Sequence, residues 1–142
     1  MRLVIFALII YFIYKLFDME FKSKYFKLEE FENREKIPSK YIKNVSELAK
    51  NLDVLREHLG KPIHINSGYR SQSHNAAVGG VQNSQHLTAS AADISVKGMS
   101  TNQIKQAIEN LIDSGKMKQG GVGFYSTWIH YDIRGKKARW NG

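Results

Sequence analysis

The stretch that most constrains how this chain can fold runs from Ser67 to Asp93 and reads SGYRSQSHNAAVGGVQNSQHLTASAAD. It has few large apolar residues and many Ser, Asn, Gln and Gly residues, which predicts a segment outside the hydrophobic core. His86 and Asp93 lie near its end, and His130 follows far downstream. Two histidines and one aspartate are enough for a catalytic zinc site, which needs three protein ligands and leaves a fourth position to water. We therefore take these three residues as candidate Zn²⁺ ligands.

The composition limits the other possibilities. With 142 residues the chain is long enough for one domain with a real core. It has no cysteine, so disulfides and thiolate metal sites are excluded. The formal net charge of +8 suits an anionic partner such as a cell wall, an acidic lipid surface or a nucleic acid. A basic protein that is merely soluble has the same charge, so the charge alone does not choose a partner.

An unbroken apolar run, LVIFALIIYFIY, occupies residues 3–14. It predicts a hydrophobic membrane anchor or signal-like segment at residues 1–18, and the lack of a small-residue cleavage site favours an uncleaved anchor. The lysines that follow the run would keep the rest of the chain in the cytoplasm, whereas a role on the cell wall requires it outside. The topology therefore stays open between these two. We expect an irregular arm at residues 19–43 and the functional domain at residues 44–142.

Helical periodicity is clear in two segments of that domain. The first predicted helix begins with Asn44 as its N-cap and ends at Gly60, and the second runs from Ser100 to Gly115. Between them, residues 63–66 predict a short strand with Ile63 and Ile65 on one face. Asp93 is placed at the start of another strand.

The residues 121–133 predict a β-hairpin, with strands at 121–125 and 128–133. Side chains alternate along the second strand, so Trp128, His130 and Asp132 share one face. The opposite, apolar face is expected to pack into the core, which directs His130 and Asp132 towards a cleft. The basic tail, with Lys136, Lys137 and Arg139, is expected to be solvated.

Several short motifs, in this order, resemble one known family: SGYRS, HNAAVGG, SQH, AAD and HYDIRG. They resemble the zinc D-Ala-D-Ala carboxypeptidase and peptidoglycan endopeptidase family, in particular its small branch from phages and bacteria. The resemblance covers residues 25–140, most of the chain. It implies an α+β fold, with a small antiparallel sheet that carries a zinc site and is flanked by helices. It also implies hydrolysis of a peptide bond in peptidoglycan stem peptides by a zinc-activated water, in the cell envelope or at the membrane.

The resemblance also assigns roles to individual residues. The zinc ligands of the family fall on His86, Asp93 and His130. The arginine that binds a substrate carboxylate or carbonyl falls on Arg70, and a serine two positions before the first histidine falls on Ser84.

Two positions depart from the family pattern. The glycine that usually follows the first histidine by three positions is Ala89 here, which costs stability if the backbone there needs a positive φ. The acidic general base that often precedes the last histidine by three positions is Thr127 here. Asp132 shares a strand face with His130 and can serve as the base instead, or it can orient His130 as a ligand.

Other interpretations remain open for several of these residues. Arg70 can pair with a surface carboxylate, and Tyr125 can either pack within the hairpin with Trp128 or form a wall for the substrate. Three further histidines are expected to be surface or structural residues, with His74 as the strongest exception: His58, His64 and His74.

Two other functions compete with the peptidase. Thr127 in place of an acid favours a metal-containing module that binds peptidoglycan without cutting it. The net charge alone favours a membrane-anchored nucleic-acid binder, but no basic-aromatic binding motif accompanies it, so nucleic acid is not an expected partner.

Overall fold

The computed structural model describes residues 1–18 and 20–142; Met19, the first residue of the expected arm, lies outside the described residues. The helices are α1 (Arg2–Asp18), α2 (Ile42–Leu59), α3 (Gln72–Ala77) and α4 (Thr101–Asp113). The strands are β1 (His64–Ser67), β2 (Ala91–Ser95), β3 (Gly121–Phe124), β4 (Ile129–Asp132) and β5 (Ala138–Asn141). Short 3₁₀ helices occur at Leu28–Glu30, Ser39–Tyr41 and Gln85–Thr88.

The five strands form one sheet in the order β1-β2-β4-β3-β5. The α+β class is confirmed, but the expectation of an antiparallel sheet is wrong for one pair, because β5 runs parallel to β3. After β4 the chain reverses direction near Gly135, whose φ is 83°, and reaches the far edge of β3. The sheet is therefore mixed. Lys136 and Lys137 are exposed, as expected of a solvated tail, but the residues that follow them form the edge strand β5.

Alternation along β4 separates the core from the site. Ile129 and Tyr131 are fully buried and belong to the same hydrophobic cluster as the apolar faces of α2 and α4. His130 and Asp132, at the alternate positions, point to the other side of the sheet. Helices α2 and α4 thus cover one face of the sheet, and the candidate site lies on the other.

The two predicted helices are present, with one different boundary. Ser100 caps α4 and Gln103 completes the capping box, as the sequence indicates. Helix α2 ends at Gly60, whose φ is 64°, but it begins earlier than predicted because the 3₁₀ helix Ser39–Tyr41 leads directly into it. Asn44 therefore lies inside α2, where its Nδ2 donates to the Thr88 carbonyl at 2.9 Å instead of capping the helix.

The pairing of β4 with β3 and β2 determines which residues lie next to His130. Strands β3 and β4 are antiparallel, as predicted, with Gly123 opposite His130. Strand β2 pairs with the other edge of β4 and places Asp93 opposite His130. Asp93 is the central residue of β2 and not its first, because the small residues Ala91 and Ala92 extend the strand towards its N-terminus.

The N-terminal residues form helix α1, and its apolar side chains from Leu3 to Leu16 are exposed. Across residues 1–18 and 20–142, none of the helices combines the length and the hydrophobicity that crossing a membrane requires. The 17 residues of α1 rise only about 25 Å, less than the ~30 Å of a bilayer core. The expected membrane anchor at residues 1–18 is therefore not supported.

Candidate metal centre

Three side chains from different elements converge on the face of the sheet opposite α2 and α4. His86 lies on the 3₁₀ helix Gln85–Thr88, Asp93 on β2 and His130 on β4. The ligand atoms that the three residues offer all lie within 4.8 Å of one another. The fold therefore brings together the metal-ligating residues proposed from the sequence, although they come from distant parts of the chain.

One carboxylate oxygen is the centre of this cluster. Asp93 Oδ1 lies 3.2 Å from His86 Nε2 and 3.1 Å from His130 Nδ1. Both histidine rings are buried, with 2% and 7% of their surface exposed. A carboxylate and two imidazoles that face a common point are the donor types that Zn²⁺ takes in open, catalytic sites.

The opposite nitrogen of each ring is also held. His86 Nδ1 lies 2.6 Å from the Gly68 carbonyl, an acceptor, so this nitrogen carries the proton and Nε2 keeps its lone pair for a metal ion. His130 Nε2 lies 2.7 Å from Asp132 Oδ2, which leaves Nδ1 for the metal. Such contacts fix the tautomer and orientation of histidine ligands, so the residues present fit a zinc ion.

Arg70 lies in the loop after β1 and pairs with the outer oxygen of Asp93. Its Nη2 donates to Asp93 Oδ2 at 2.9 Å, and its Nε donates to Ser67 Oγ at 3.0 Å. Within the described part of the chain, Nη1 has no hydrogen-bond partner. The guanidinium therefore orients Asp93 and still has a donor to offer to a ligand.

Electrostatics keep Asp93 ionised. Burial raises the pKa of this carboxyl, but the hydrogen bonds from His130 and His86 outweigh burial and leave the pKa well below its usual range. For His130, burial lowers the pKa, whereas the hydrogen bonds to Asp132 and Asp93 raise it, and the net shift is upward.

Asp132 is fully buried behind His130 and does not line the cleft. Its Oδ1 accepts hydrogen bonds from the backbone N–H of Gly121 at 2.9 Å and from Arg134 Nε at 2.8 Å. Its Oδ2 contacts His130 Nε2 and accepts from Arg134 Nη2 at 2.7 Å. Burial raises the pKa of Asp132, but the hydrogen bonds from His130 and Arg134 hold it well below its usual range. The expectation that Asp132 points into the cleft with His130 is therefore wrong.

A cavity of about 720 Å³ opens above the three ligands. Arg70, Ser84 and Tyr125 line this cavity. These are the residues that the sequence predicts to contact the substrate. Ser84 also caps the 3₁₀ helix of His86, with its Oγ accepting from the His86 N–H at 3.3 Å. Among the described residues that line the cavity, Asp93 is the only carboxylate, and Thr127 lies in the exposed turn outside it.

Two further residues form part of the cavity wall, and one of them, Trp140, comes from the segment interpreted as a solvated tail. Trp140 on β5 packs against His130, with ring centroids 4.9 Å apart. Arg134 lies with its guanidinium carbon 5.4 Å from the Trp140 ring. Arg139 is not solvated either, because its guanidinium binds Glu109 on α4 and the Gly120 carbonyl. A strand of only four residues gives almost no periodic signal, and Trp140 was the one indication of burial.

Ala89 ends the 3₁₀ helix that carries His86. Its φ is 55°, and it is the only non-glycine residue with a positive φ in the described part of the chain. The condition under which alanine costs stability at this position, a positive φ, is therefore met.

The other three histidines lie away from the metal centre. His58 and His64 are exposed, and His74 on α3 is half-buried. None of the three lines the cavity within the described residues.

Comparison with known proteins agrees with this geometry. The profile described as Peptidase M15 matches residues 21–132. Over 89 residues the chain is 38% identical to a protein from Streptomyces albus G named zinc D-Ala-D-Ala carboxypeptidase. That alignment includes 62% of this chain and 34% of the relative, so the chain spans about a third of the relative's length. Because the family profile covers most of the chain, including all three candidate ligands, this protein belongs to the Peptidase M15 family.

Proposed function

We propose that this protein is a zinc-dependent peptidase that hydrolyses a peptide bond in the stem peptides of peptidoglycan. The observation that carries the proposal is the convergence of His86, Asp93 and His130 at the base of an open cavity. The family and the name of the Streptomyces albus G relative support zinc and a cell-wall peptide as cofactor and substrate. This function requires the protein to act in the cell envelope, where peptidoglycan lies.

In this proposal His86 Nε2, His130 Nδ1 and Asp93 Oδ1 hold the metal ion. When bound, Zn²⁺ supplies a Lewis acid that polarises a carbonyl group and activates water at neutral pH. The contacts from Gly68 and Asp132 to the far sides of the two rings hold the imidazoles in the ligating orientation.

Arg70 has a double role in this mechanism. Its Nη2 fixes Asp93 through the 2.9 Å hydrogen bond, and its unpartnered Nη1 can donate to a carboxylate or carbonyl oxygen of the peptide. Since the side chain lines the cavity, both contacts can exist at the same time.

The contacts of Asp132 support a positioning role instead of a general-base role. Its oxygens accept hydrogen bonds from Gly121 and Arg134 as well as contacting His130, and none of its surface is exposed. A general base must come within hydrogen-bond reach of the proton that it removes, directly or through one water. A carboxylate buried behind a metal ligand has no such access, so Asp132 orients His130.

A second function is favoured by the absence of an acid from the cavity wall. Because Asp93 is the only carboxylate among the described lining residues, no free carboxylate faces the substrate. A zinc-containing module that binds stem peptides without cutting them is consistent with this composition.

Digestion of purified peptidoglycan distinguishes these two functions. The zinc-loaded full chain is incubated with the polymer, and the soluble products are identified by mass spectrometry. We expect new stem-peptide fragments that are absent with His86→Ala and present with His58→Ala, an exposed histidine that serves as the matched control. Co-sedimentation with the polymer, without any new fragment, would instead establish the binding module.

A further inference from the structure

Tyr125 is a polar side chain of the cavity wall that does not contact the candidate metal ligands. The two arginines of the cavity are paired with carboxylates, Arg70 with Asp93 and Arg134 with Asp132. The Tyr125 hydroxyl, in contrast, accepts one hydrogen bond and donates none within the described residues. The Tyr125 hydroxyl can therefore donate a hydrogen bond to a ligand, and the identification of that ligand rests on the proposed peptidase function.

A glycine in the middle of the sheet allows the tyrosine to be held in place. Gly123 on β3 lies opposite His130 on one side and Trp140 on the other. A Cβ atom at Gly123 would approach the indole ring to 2.5 Å, closer than real Cβ contacts. The missing side chain therefore lets the indole lie across β3 and pack on His130.

The same indole fixes the direction of the Tyr125 hydroxyl. Trp140 Nε1 lies 3.0 Å from Tyr125 Oη. An indole N–H can only donate, so the tyrosine oxygen must be the acceptor in this contact. The hydroxyl proton of Tyr125 is consequently directed away from Trp140, and no acceptor for it exists among residues 1–18 and 20–142.

The tyrosine ring itself has little freedom. It stacks on Trp128 with ring centroids 4.7 Å apart and an angle of 13° between the planes. The backbone of Gly142 also packs against the ring, where a Cβ atom would clash with its carbons. Because the ring is held by Trp128, Trp140 and Gly142, the position of the hydroxyl in the cavity is set before any ligand binds.

We infer that the Tyr125 hydroxyl donates a hydrogen bond to the carbonyl oxygen of the peptide bond under attack, and that Trp140 orients it for this purpose. Tyr125 lines the same cavity as the metal ligands, and Trp140 connects it directly to His130. The carbonyl oxygen gains negative charge as water adds to the carbon, so a preorganised donor stabilises the transition state more than the substrate. In this role the phenol donates a hydrogen bond and no proton transfer is required of it.

This assignment gives Trp140 a role that the match to residues 21–132 does not include. Trp140 is a positioning residue, since it acts through Tyr125. Loss of the Trp140 N–H should therefore lower kcat only while the Tyr125 hydroxyl is present. A double variant of the two residues measures this dependence.

The test uses the full chain at saturating zinc with Tyr125→Phe, Trp140→Phe and the double variant. At position 125 phenylalanine keeps the ring and removes only the hydroxyl, whereas at position 140 it replaces the indole by a smaller aromatic ring that has no N–H to donate. For Tyr125→Phe we expect about a 10²-fold loss of kcat, as for removal of one donor to an oxyanion, with KM and zinc content unchanged. Trp140→Phe should show a smaller loss, and the double variant should be no slower than Tyr125→Phe. Tyr25→Phe, which removes a hydroxyl remote from the cavity, is the matched control and should retain wild-type turnover.

Binding of a phosphinate analogue of an alanyl-alanine dipeptide, measured by calorimetry, separates this inference from the proposed function. The tetrahedral phosphinate carries the negative oxygen that Tyr125 is expected to contact, so Tyr125→Phe should weaken its binding about as much as it lowers kcat, even if the wild type cleaves no peptidoglycan. Equal phosphinate affinity of Tyr125→Phe and the wild type would overturn the inference. So would absence of phosphinate binding to the wild type, or a double variant whose losses multiply.

Discussion

Asp132 contacts His130 from the side opposite the metal position, with Oδ2 2.7 Å from Nε2. The two residues are neighbours on the same face of β4. The imidazole ring of His130 lies between Asp132 and Asp93, and each carboxylate contacts one of its two nitrogens. Because Arg134 and the Gly121 N–H bind the same carboxylate, Asp132 cannot turn towards the cavity without breaking several hydrogen bonds.

Asp132→Asn should therefore weaken zinc binding by roughly 10–100-fold, the usual effect of removing a group that orients a metal ligand. Activity should return when zinc is added, because the amide does not remove any ligand. Titration of activity against free zinc measures this, and Asp113→Asn, on the exposed end of α4, is the control. A variant that stays inactive at saturating zinc would mean that Asp132 is the general base.

Arg70→Ala should reduce kcat/KM on peptidoglycan fragments by about tenfold or more. The variant loses a charge-assisted contact to the substrate, which contributes about 1.5–3 kcal/mol. Metal analysis at saturating zinc should still give about one zinc per chain, because Arg70 binds Asp93 from the side away from the metal. Arg34→Ala, an exposed arginine elsewhere, is the control; wild-type turnover in Arg70→Ala would contradict a role in the reaction.

The stabilisation of the fold by zinc should increase with pH. In the metal-free protein the pKa of His130 is raised, so this residue stabilises the fold fully below its unfolded pKa of about 6.5, and the effect disappears as pH rises through the folded pKa. Zinc needs the unprotonated ring, so protons compete with it at low pH. The difference in Tm between zinc-loaded and metal-free protein, at fixed free zinc, should widen from pH 6 to pH 8. A constant or narrowing difference would contradict this.

Ala89→Gly should stabilise the metal-free protein by up to about 1 kcal/mol. An L-residue in the left-handed region costs roughly 1–2 kcal/mol, and part of the gain is lost to the greater freedom of glycine in the unfolded chain. Ala76→Gly, at an exposed position of α3, should destabilise because its backbone is helical. Urea unfolding of both variants gives the comparison, and destabilisation by Ala89→Gly would show that the buried methyl group outweighs the backbone strain.

Removal of residues 1–18 should leave the metal centre intact. The described apolar side chains of α1 are exposed, and none of them belongs to the core cluster. We expect the shortened protein to bind about one zinc per chain with an unchanged Tm, and His86→Ala in the same background to lose the metal. Metal analysis that finds no zinc in the shortened wild type would contradict the site.

Local sequence patterns were sufficient to predict those elements that are stabilised by contacts between neighbouring residues. The capping box at Ser100 and the alternation over residues 121–133 depend on neighbouring residues, and both are present in the structure. The same alternation predicts that His130 lies on the face opposite the core. The three candidate metal ligands were identified from the specific motifs around them, and the fold brings them together.

Long-range pairing accounts for what the sequence did not predict. Strand β5 forms because β3 offers it a free edge, and nothing within Ala138–Asn141 indicates a parallel partner. Asn44 has the composition of an N-cap, but the turn at Ser39–Tyr41 starts the helix earlier and leaves Asn44 to bind Thr88. Asp132 has the spacing of a residue that faces the cleft, yet Arg134 and Gly121 hold it in the interior.

The pairing of Asp93 with His130 has a mechanical consequence. These residues are 37 positions apart in the chain, and a metal ion bonded to both is a cross-link between β2 and β4. The segment that it would close contains α4 and β3, and because the site exists only in the folded protein, the free energy of zinc binding would add to the stability of that whole segment. In a protein without cysteine, the metal can therefore serve as the removable counterpart of a disulfide.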